Sequence, residues 1–470
     1  MSKPTPPVSA GDLVTLDLEG LVPGGEAIAH LGGFALFVPG GVPGDRVKAE
    51  VISTKPTYGR ALVKEVLTPG SQRAGARCPL FGRCGGCQWQ EVDYTAQLQW
   101  KRHIVEEAIT RIGGFSKDQL VAPTIGMDDP WYYRNKVHWA LAKEEKPKPD
   151  GNHIRIGLYE ARSHTVVDVE HCYIQHPLNN LVLDFLRKAL PEFDFPLYDE
   201  RTGKGWLRSA FAKAGHQTNE LMIGLVTTRE DFPLEDAWVE RVREQFPGVT
   251  SIVQNIHSKP GNALMGPETR VLWGKDHLFE KIGPLTFAIS ARSFFQVNSE
   301  QVERLYDTVV EYAGLQGGER IVDLYSGTGT IALYLAAKGA GEALGIEVIP
   351  EATRDAIANA RLNGISNAKF LTGKVEDRLA RLLSETGMID VAVLDPPRKG
   401  CEPEVVSAIA RSGIPRIVYV SCNPATLARD LKGLVDAGGY RLEKVQPVDM
   451  FPQTAHVEAV ALLTKEPGPR

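Results

Sequence analysis

From Gln296 onward, short runs of β-branched residues alternate with longer helix-like stretches. The strand candidates are 320–324, 342–347, 390–395 and 416–421. Strands separated by helices pair as parallel neighbours through crossovers, so a doubly wound, mostly parallel α/β sheet is predicted. Two further strands, 440–448 and 457–463, lie close together and are expected to close the sheet as a hairpin. Open sheets of this kind collect ligands at the carboxyl tips of their strands. Several tips here carry polar residues.

The first tip reads "IVDLYSGTGTIAL". The strand ends at Asp323-Leu324 and turns through Gly327 and Gly329, which permit a tight turn and close approach of backbone to ligand. Ile331-Ala332 occupy the place of the third glycine of a full dinucleotide fingerprint, so the glycine pair alone is a weak signal. The next strand, "ALGIEVIPEA", ends at Glu347, twenty positions after Gly327, where a carboxylate can accept both ribose hydroxyls of an adenosine ligand. A third strand, "VAVLDPPRKG", puts Asp395 at its tip. Together these tips outline a nucleoside pocket. A second phosphate-binding turn, which NAD would need, is missing. "DPP" after a strand instead resembles the methyltransferases that work on planar nitrogen or carbon centres, and S-adenosylmethionine is the expected cofactor.

The fourth tip, "RIVYVSCNPATLARDL", carries Cys422. Free cysteines are most often buried fillers. Beside a methyl donor, however, a thiolate can add to carbon 6 of uracil and turn carbon 5, a poor nucleophile, into an enolate carbon. A base must then remove the carbon-5 proton so that the thiol can leave.

The motifs "SCNP" at 421–424, "DMFPQTAHVE" at 449–458, "FFQVNSEQ" at 294–301, "DLYSGTGTIAL" and "LDPPRKG" occur here together and in order. In this combination the chain resembles the RNA uracil-5-methyltransferases, especially those acting on 23S ribosomal RNA, over nearly its whole length. The resemblance implies that Cys422 is the nucleophile and Glu458 the base. It implies that Gln296, Tyr325, Glu347 and Asp395 hold the cofactor. Cys401, in "RKGCEPEV", has no such context and reads as a bystander.

Six cysteines are informative in a chain of 470 residues with no leader-like or membrane-spanning run, for which a cytoplasmic location is expected. Cys78, Cys84 and Cys87 are spaced C-x5-C-x2-C around Gly85-Gly86, and Cys172 in "VEHCYIQHP" can be a fourth ligand. Four thiolates suit zinc or an iron–sulfur cluster, and a single CxxC favours the cluster. His171 and His176 leave a mixed zinc set open. The resemblance implies a [4Fe–4S] cluster on Cys78, Cys84, Cys87 and Cys172. Radical enzymes leave one iron open with three cysteines; four cysteines close the site.

The length implies more than one domain. Residues 1–9 read as a flexible lead-in. Five short strand-like pieces between Gly11 and Leu67 predict an OB-like barrel over 10–70 that resembles a TRAM domain. A small α+β iron–sulfur domain is expected over 71–90 and 126–285. The Rossmann-like methyltransferase domain takes 91–125, with a helix at about 94–112, and 286–470. A composition of 43% hydrophobic and 24% charged residues argues against widespread disorder, while the net charge of −5 neither suggests nor excludes a nucleic-acid partner. Lys55, Tyr58 and Arg60 on the barrel, and Tyr133, Arg134, Asn135 and Lys136 in "WYYRNKVHW", are the candidate RNA contacts, with Arg134 or Lys136 favoured. The expected partner is 23S ribosomal RNA, with the thymine-loop uridine of transfer RNA as the alternative. A non-catalytic iron–sulfur RNA-binding protein is the rival from another class. No membrane or DNA partner is expected, and the protein is expected to be a monomer.

Overall fold

The computed structural model describes residues 6–116, 120–144, 153–261 and 263–466. The first part of the expected lead-in, residues 1–5, lies outside the described residues.

The carboxyl-terminal sheet consists of β1 (Arg320–Leu324), β2 (Glu342–Glu347), β3 (Ala368–Thr372), β4 (Val391–Leu394), β5 (Arg416–Ser421), β6 (Tyr440–Val448) and β7 (Glu458–Lys465). Its order is β3-β2-β1-β4-β5-β7-β6. The first five strands are parallel, and β7 runs antiparallel to both β5 and β6. The doubly wound sheet and the terminal hairpin therefore form as predicted, with β7 as the inner strand of the hairpin. The edge strand β3 was not anticipated. Its residues, AKFLT, are only partly buried and carry little apolar pattern.

β4 is buried throughout, and β1 and β5 at every position but the first, because helices cover both faces of the sheet. On one face lie Tyr94–Arg111, Val375–Thr386, Pro403–Ser412 and Pro424–Gly438; on the other lie Ser299–Ala313 and Thr330–Ala337. Tyr94–Arg111 begins at Asp93, whose carboxylate accepts the Thr95 N–H at 3.0 Å, and buries Val105, Ala108 and Ile109 against this sheet. A helix from early in the chain thus completes the carboxyl-terminal core.

The amino-terminal sheet has the order Leu13–Asp17, Arg46–Thr54, Tyr58–Thr68, Phe34–Val38, Ala27–Leu31, Gly20–Leu21. It curls until its first strand touches Ala27–Leu31. The first of the five expected pieces splits in two, so six strands form. The region after Gly126 builds a seven-stranded, mainly antiparallel sheet backed by helices Pro177–Phe193 and Glu235–Gln245. Only Leu221–Thr227 and Ser251–Ile256 pair in parallel there. Among the described residues no helix is long and apolar enough to cross a membrane.

Candidate functional site

A cavity of about 1050 Å³ opens at the carboxyl tips of β1, β2, β4 and β5. Gln296, Tyr325, Glu347, Asp395, Cys422 and Glu458 all line it. Residues spread over more than 160 positions of chain thus meet at one sheet edge.

The turn after β1 shows how the glycines act. Gly327 has φ 53° and Gly329 φ 82°. A Cβ on Gly329 would stand 2.7 Å from the Phe370 ring, so neither the conformation nor the space admits a side chain. Tyr325 itself has φ 70°, a strain of about 1–3 kcal/mol for a non-glycine residue. Its hydroxyl meets the buried Cys401 thiol, which also lies 3.4 Å from the Tyr419 hydroxyl. Cys401 is therefore packing beneath the turn.

Glu347 is locked to this turn. One oxygen accepts the Gly327 N–H at 3.0 Å and the other the Ile349 N–H at 2.8 Å. Each oxygen keeps a lone pair for a ligand hydroxyl. Two buried atoms nearby have no partner in the protein, Asp323 Oδ1 and Ser326 Oγ, and both residues line the cavity. Leaving a buried polar atom unpaired costs about 1–3 kcal/mol, which marks this wall as built for a polar ligand. The residues present fit a nucleoside with a cationic tail.

At the other end, Cys422 follows β5 and precedes helix Pro424–Gly438, which Asn423 caps by accepting the Ala425 N–H at 3.1 Å. The Asn423 amide also donates to the Arg398 carbonyl at 3.0 Å, tying the "SCNP" and "DPPR" loops together. Burial pushes the Cys422 thiol up to about 11, with Glu458 and Asp395 adding to the rise and Arg398 opposing it. Burial, then Asp395, pushes Glu458 up to about 8, again against Arg398. Asp395 rises to about 7 through burial. Asp323 is driven well above the carboxylate range by burial and by Asp395 and Glu347. The cavity floor is an acidic cluster that a bound cation would relieve.

Glu458 opens β7 after the loop 449–457, which distant residues hold in place. Asp449 is fully buried in an ion pair with Lys101 of helix Tyr94–Arg111, and the Tyr94 hydroxyl donates to it at 3.0 Å. Lys101 Nζ also donates to the Phe451 carbonyl at 3.0 Å. Gln453, at φ 69°, accepts the N–H groups of Gln88 and Trp89 at 3.1 and 3.0 Å. The Tyr133 hydroxyl donates to the Pro452 carbonyl at 2.9 Å. Neither the Lys101–Asp449 pair nor the electrostatic influence of Arg398 on the Cys422 thiol was singled out from sequence. A lysine between Leu98 and Ile104 on the apolar face of a helix was the available signal for the first.

Residues 280–466 match the model of the tRNA (uracil-5-)-methyltransferase family, and residues 7–64 match the TRAM domain. An uncharacterized RNA methyltransferase of Halalkalibacterium halodurans is 43% identical, over 98% of this chain and 99% of the relative. The chain belongs to the RNA uracil-5-methyltransferase family. Another RNA methyltransferase, from Caldanaerobacter subterraneus, is 41% identical over 97% of this chain and 99% of its own. Among solved structures, the Pyrococcus abyssi tRNA (uracil-54, C5)-methyltransferase in complex with S-adenosyl-L-homocysteine superposes with a TM-score of 0.74 at 27% identity. That likeness covers 96% of this chain and all of the archaeal one. The methyltransferase is thus S-adenosylmethionine-dependent, acts on RNA, and carries a TRAM domain at its amino terminus.

Away from the cavity, the expected RNA contacts fare unevenly. Tyr133 and Asn135 turn inward, and Asn135 donates to the Gln296 carbonyl at 3.0 Å, holding a cavity loop. The pair alternates with outward neighbours because the segment leads into strand Lys136–Lys143. Lys136 is half-buried, and burial followed by Arg134 lowers its pKa. On the barrel, Arg60 is engaged by Glu26 at 3.2 Å, whereas Lys55 is exposed.

The four cysteines 78, 84, 87 and 172 are free and within electrostatic reach of one another. Burial first, then Cys172, Cys84 and Cys78, pushes the Cys87 thiol up to about 12. Among the described residues no group of three or more His, Cys, Asp or Glu stands ready to hold a metal ion. His176 accepts the Leu178 N–H at 3.3 Å as a helix cap, and His171 lies 3.2 Å from the Tyr132 hydroxyl.

Proposed function

We propose that this methyltransferase modifies carbon 5 of a specific uridine in 23S ribosomal RNA through a covalent adduct between Cys422 and uracil carbon 6. The observation that carries the reading is that Cys422 and Glu458 open onto the same cavity as the glycine turn and Glu347. In this reading Gln296, Tyr325, Glu347 and Asp395 hold the cofactor, whose sulfonium supplies an electrophilic methyl group when bound. The part-exposed Cys422 gives its proton to solvent water and its sulfur bonds to carbon 6, while the ring π pair shifts toward the carbon-4 oxygen. Arg398 and the amino end of helix Pro424–Gly438 favour the thiolate. Carbon 5 takes the methyl group, Glu458 takes the carbon-5 proton, and the sulfur–carbon bond breaks as the ring double bond re-forms.

A uridine inside a helix is out of reach of such a thiol, so the target must leave its stack. The units 10–70, 71–90 with 126–285, and 91–125 with 286–470 are proposed to share that work, the first two gripping RNA around the cleft of the third. Four clustered cysteines together with the barrel favour ribosomal RNA. The archaeal neighbour, named for uracil-54 of transfer RNA and similar along the whole chain, favours the thymine loop as the second reading. Mapping 5-methyluridine in both RNA pools from cells with and without the gene separates them. Loss of 5-methyluridine from 23S ribosomal RNA is expected; loss confined to transfer RNA would replace this proposal with the second.

Cys78, Cys84, Cys87 and Cys172 are proposed to hold a [4Fe–4S] cluster in a closed, structural role. The donor set supports it: the four free thiols lie within electrostatic reach of one another, and both neighbouring histidines have other hydrogen-bonding contacts. Anaerobically purified protein is expected to contain iron and sulfide near cluster stoichiometry. Stoichiometric zinc in their place would refute the assignment.

A further inference from the structure

Beside the cysteines, Arg77 lies over three aromatic rings. Its guanidinium carbon is 5.3 Å from the Trp131 ring centre, 5.2 Å from Tyr132 and 4.9 Å from Tyr173. One guanidinium nitrogen donates to the Tyr132 hydroxyl at 3.4 Å, and that hydroxyl is 3.2 Å from His171 Nε2. The His171 ring stands edge-on to Tyr173 at 4.8 Å. Tyr132 takes φ 54°, a conformation that bulky residues avoid, and its N–H donates to the Tyr173 carbonyl at 2.9 Å. Arg77 and His171 are exposed and the three rings half-buried. Among the described residues Arg77 has no carboxylate partner, although the chain as a whole is acidic.

We propose that Arg77, braced by Trp131, Tyr132 and Tyr173, is a stacking platform for an unpaired nucleotide of the RNA substrate. The inference rests on the RNA reading above and adds to it a site outside the cavity. The rings restrain the guanidinium, and because Arg77 is exposed its accessible surface can stack on a base while its N–H groups reach a phosphate. An exposed cation left without an acidic partner complements a polyanion. A double helix, whose bases are already stacked, gains little from the platform.

The test uses the full chain, a fluorescein-labelled oligouridylate of about twelve nucleotides and a blunt RNA duplex of similar length. Arg77→Met keeps an aliphatic stem against the rings. It is expected to weaken oligouridylate binding about tenfold, change duplex binding less than about twofold, and lower the slope of log K against log salt by about 0.7. Methylation should show a raised KM for RNA with kcat unchanged, and the iron content and melting midpoint should match wild type. Arg77→Lys should restore the salt slope but not the affinity; it decides the matter if the methionine variant melts early. Oligouridylate binding within about twofold of wild type in both variants would overturn the platform. That measurement needs no methyl transfer, so it stands or falls apart from the proposed reaction.

Discussion

Cys422→Ala is expected to abolish methyl transfer while leaving cofactor binding intact. Carbon 5 of uracil has no useful nucleophilicity until sulfur has added at carbon 6, so no other side chain in the cavity can compensate. The loss in kcat should be on the order of 10⁴-fold or more, in line with removal of a nucleophile. Binding should survive because the turn at 325–329 and the Glu347 carboxylate are fixed by their own backbone hydrogen bonds. Cys422 is partly exposed and its loop is held by Asn423 and Ser421, so stability should change by less than about 1 kcal/mol. Incorporation of labelled methyl into RNA, with calorimetric titration of S-adenosylhomocysteine, measures both halves. Turnover retained in this variant would end the covalent mechanism.

Glu458→Gln is expected to act one step later. Methyl transfer to carbon 5 needs no base, whereas escape of the sulfur needs the carbon-5 proton removed. The variant should complete a first transfer and then hold RNA on the protein, visible as a slowed band on a denaturing gel, with turnover down about 10²–10⁴-fold. A variant that releases methylated RNA at the normal rate would assign the base elsewhere. The pH dependence follows from the same surroundings. With no sulfonium charge left to offset the carboxylates after methyl transfer, burial and then Asp395 hold the Glu458 pKa at about 8. A base works only when ionised, and its ionised fraction grows as pH rises toward the raised pKa. The rate of adduct breakdown in a single turnover, a step in which sulfur is already bonded to carbon 6, should therefore climb with pH and level off above about 8. A pKa there also makes Glu458 a stronger base than an ordinary carboxylate.

The parts of this site that were legible in the sequence are those in which one segment does one job. Asp395 and Cys422 end buried β-branched runs, and such runs in an alternating chain can only be strands of a covered parallel sheet, whose tips are ligand positions. Gly327 and Gly329 turn with positive φ, a need local to the turn. Glu347 was read as a ribose acceptor from spacing, and the structure adds that the same carboxylate holds Gly327. Strand β3 escaped notice because an edge strand buries too little to leave a pattern. In "WYYRNKVHW", composition could not say which residues face out. The structure turns Tyr133 and Asn135 inward and leaves the Tyr132 ring against Arg77, a residue from another segment.

By itself the sequence determined the alternation of strands and helices in the carboxyl-terminal half apart from edge strand β3, the doubly wound sheet, and the residue types at its tips, because periodicity and turn chemistry act over a few neighbouring residues. Only the tertiary structure decided that Lys101 would be buried against Asp449 and so help hold the loop before Glu458. It alone set Glu458, Asp395 and Cys422 in one acidic pocket where burial raises all three pKa values and neighbouring carboxylates raise those of Cys422 and Glu458 further. Burial and charge coupling depend on distances between segments far apart in the chain, and no local pattern encodes those distances.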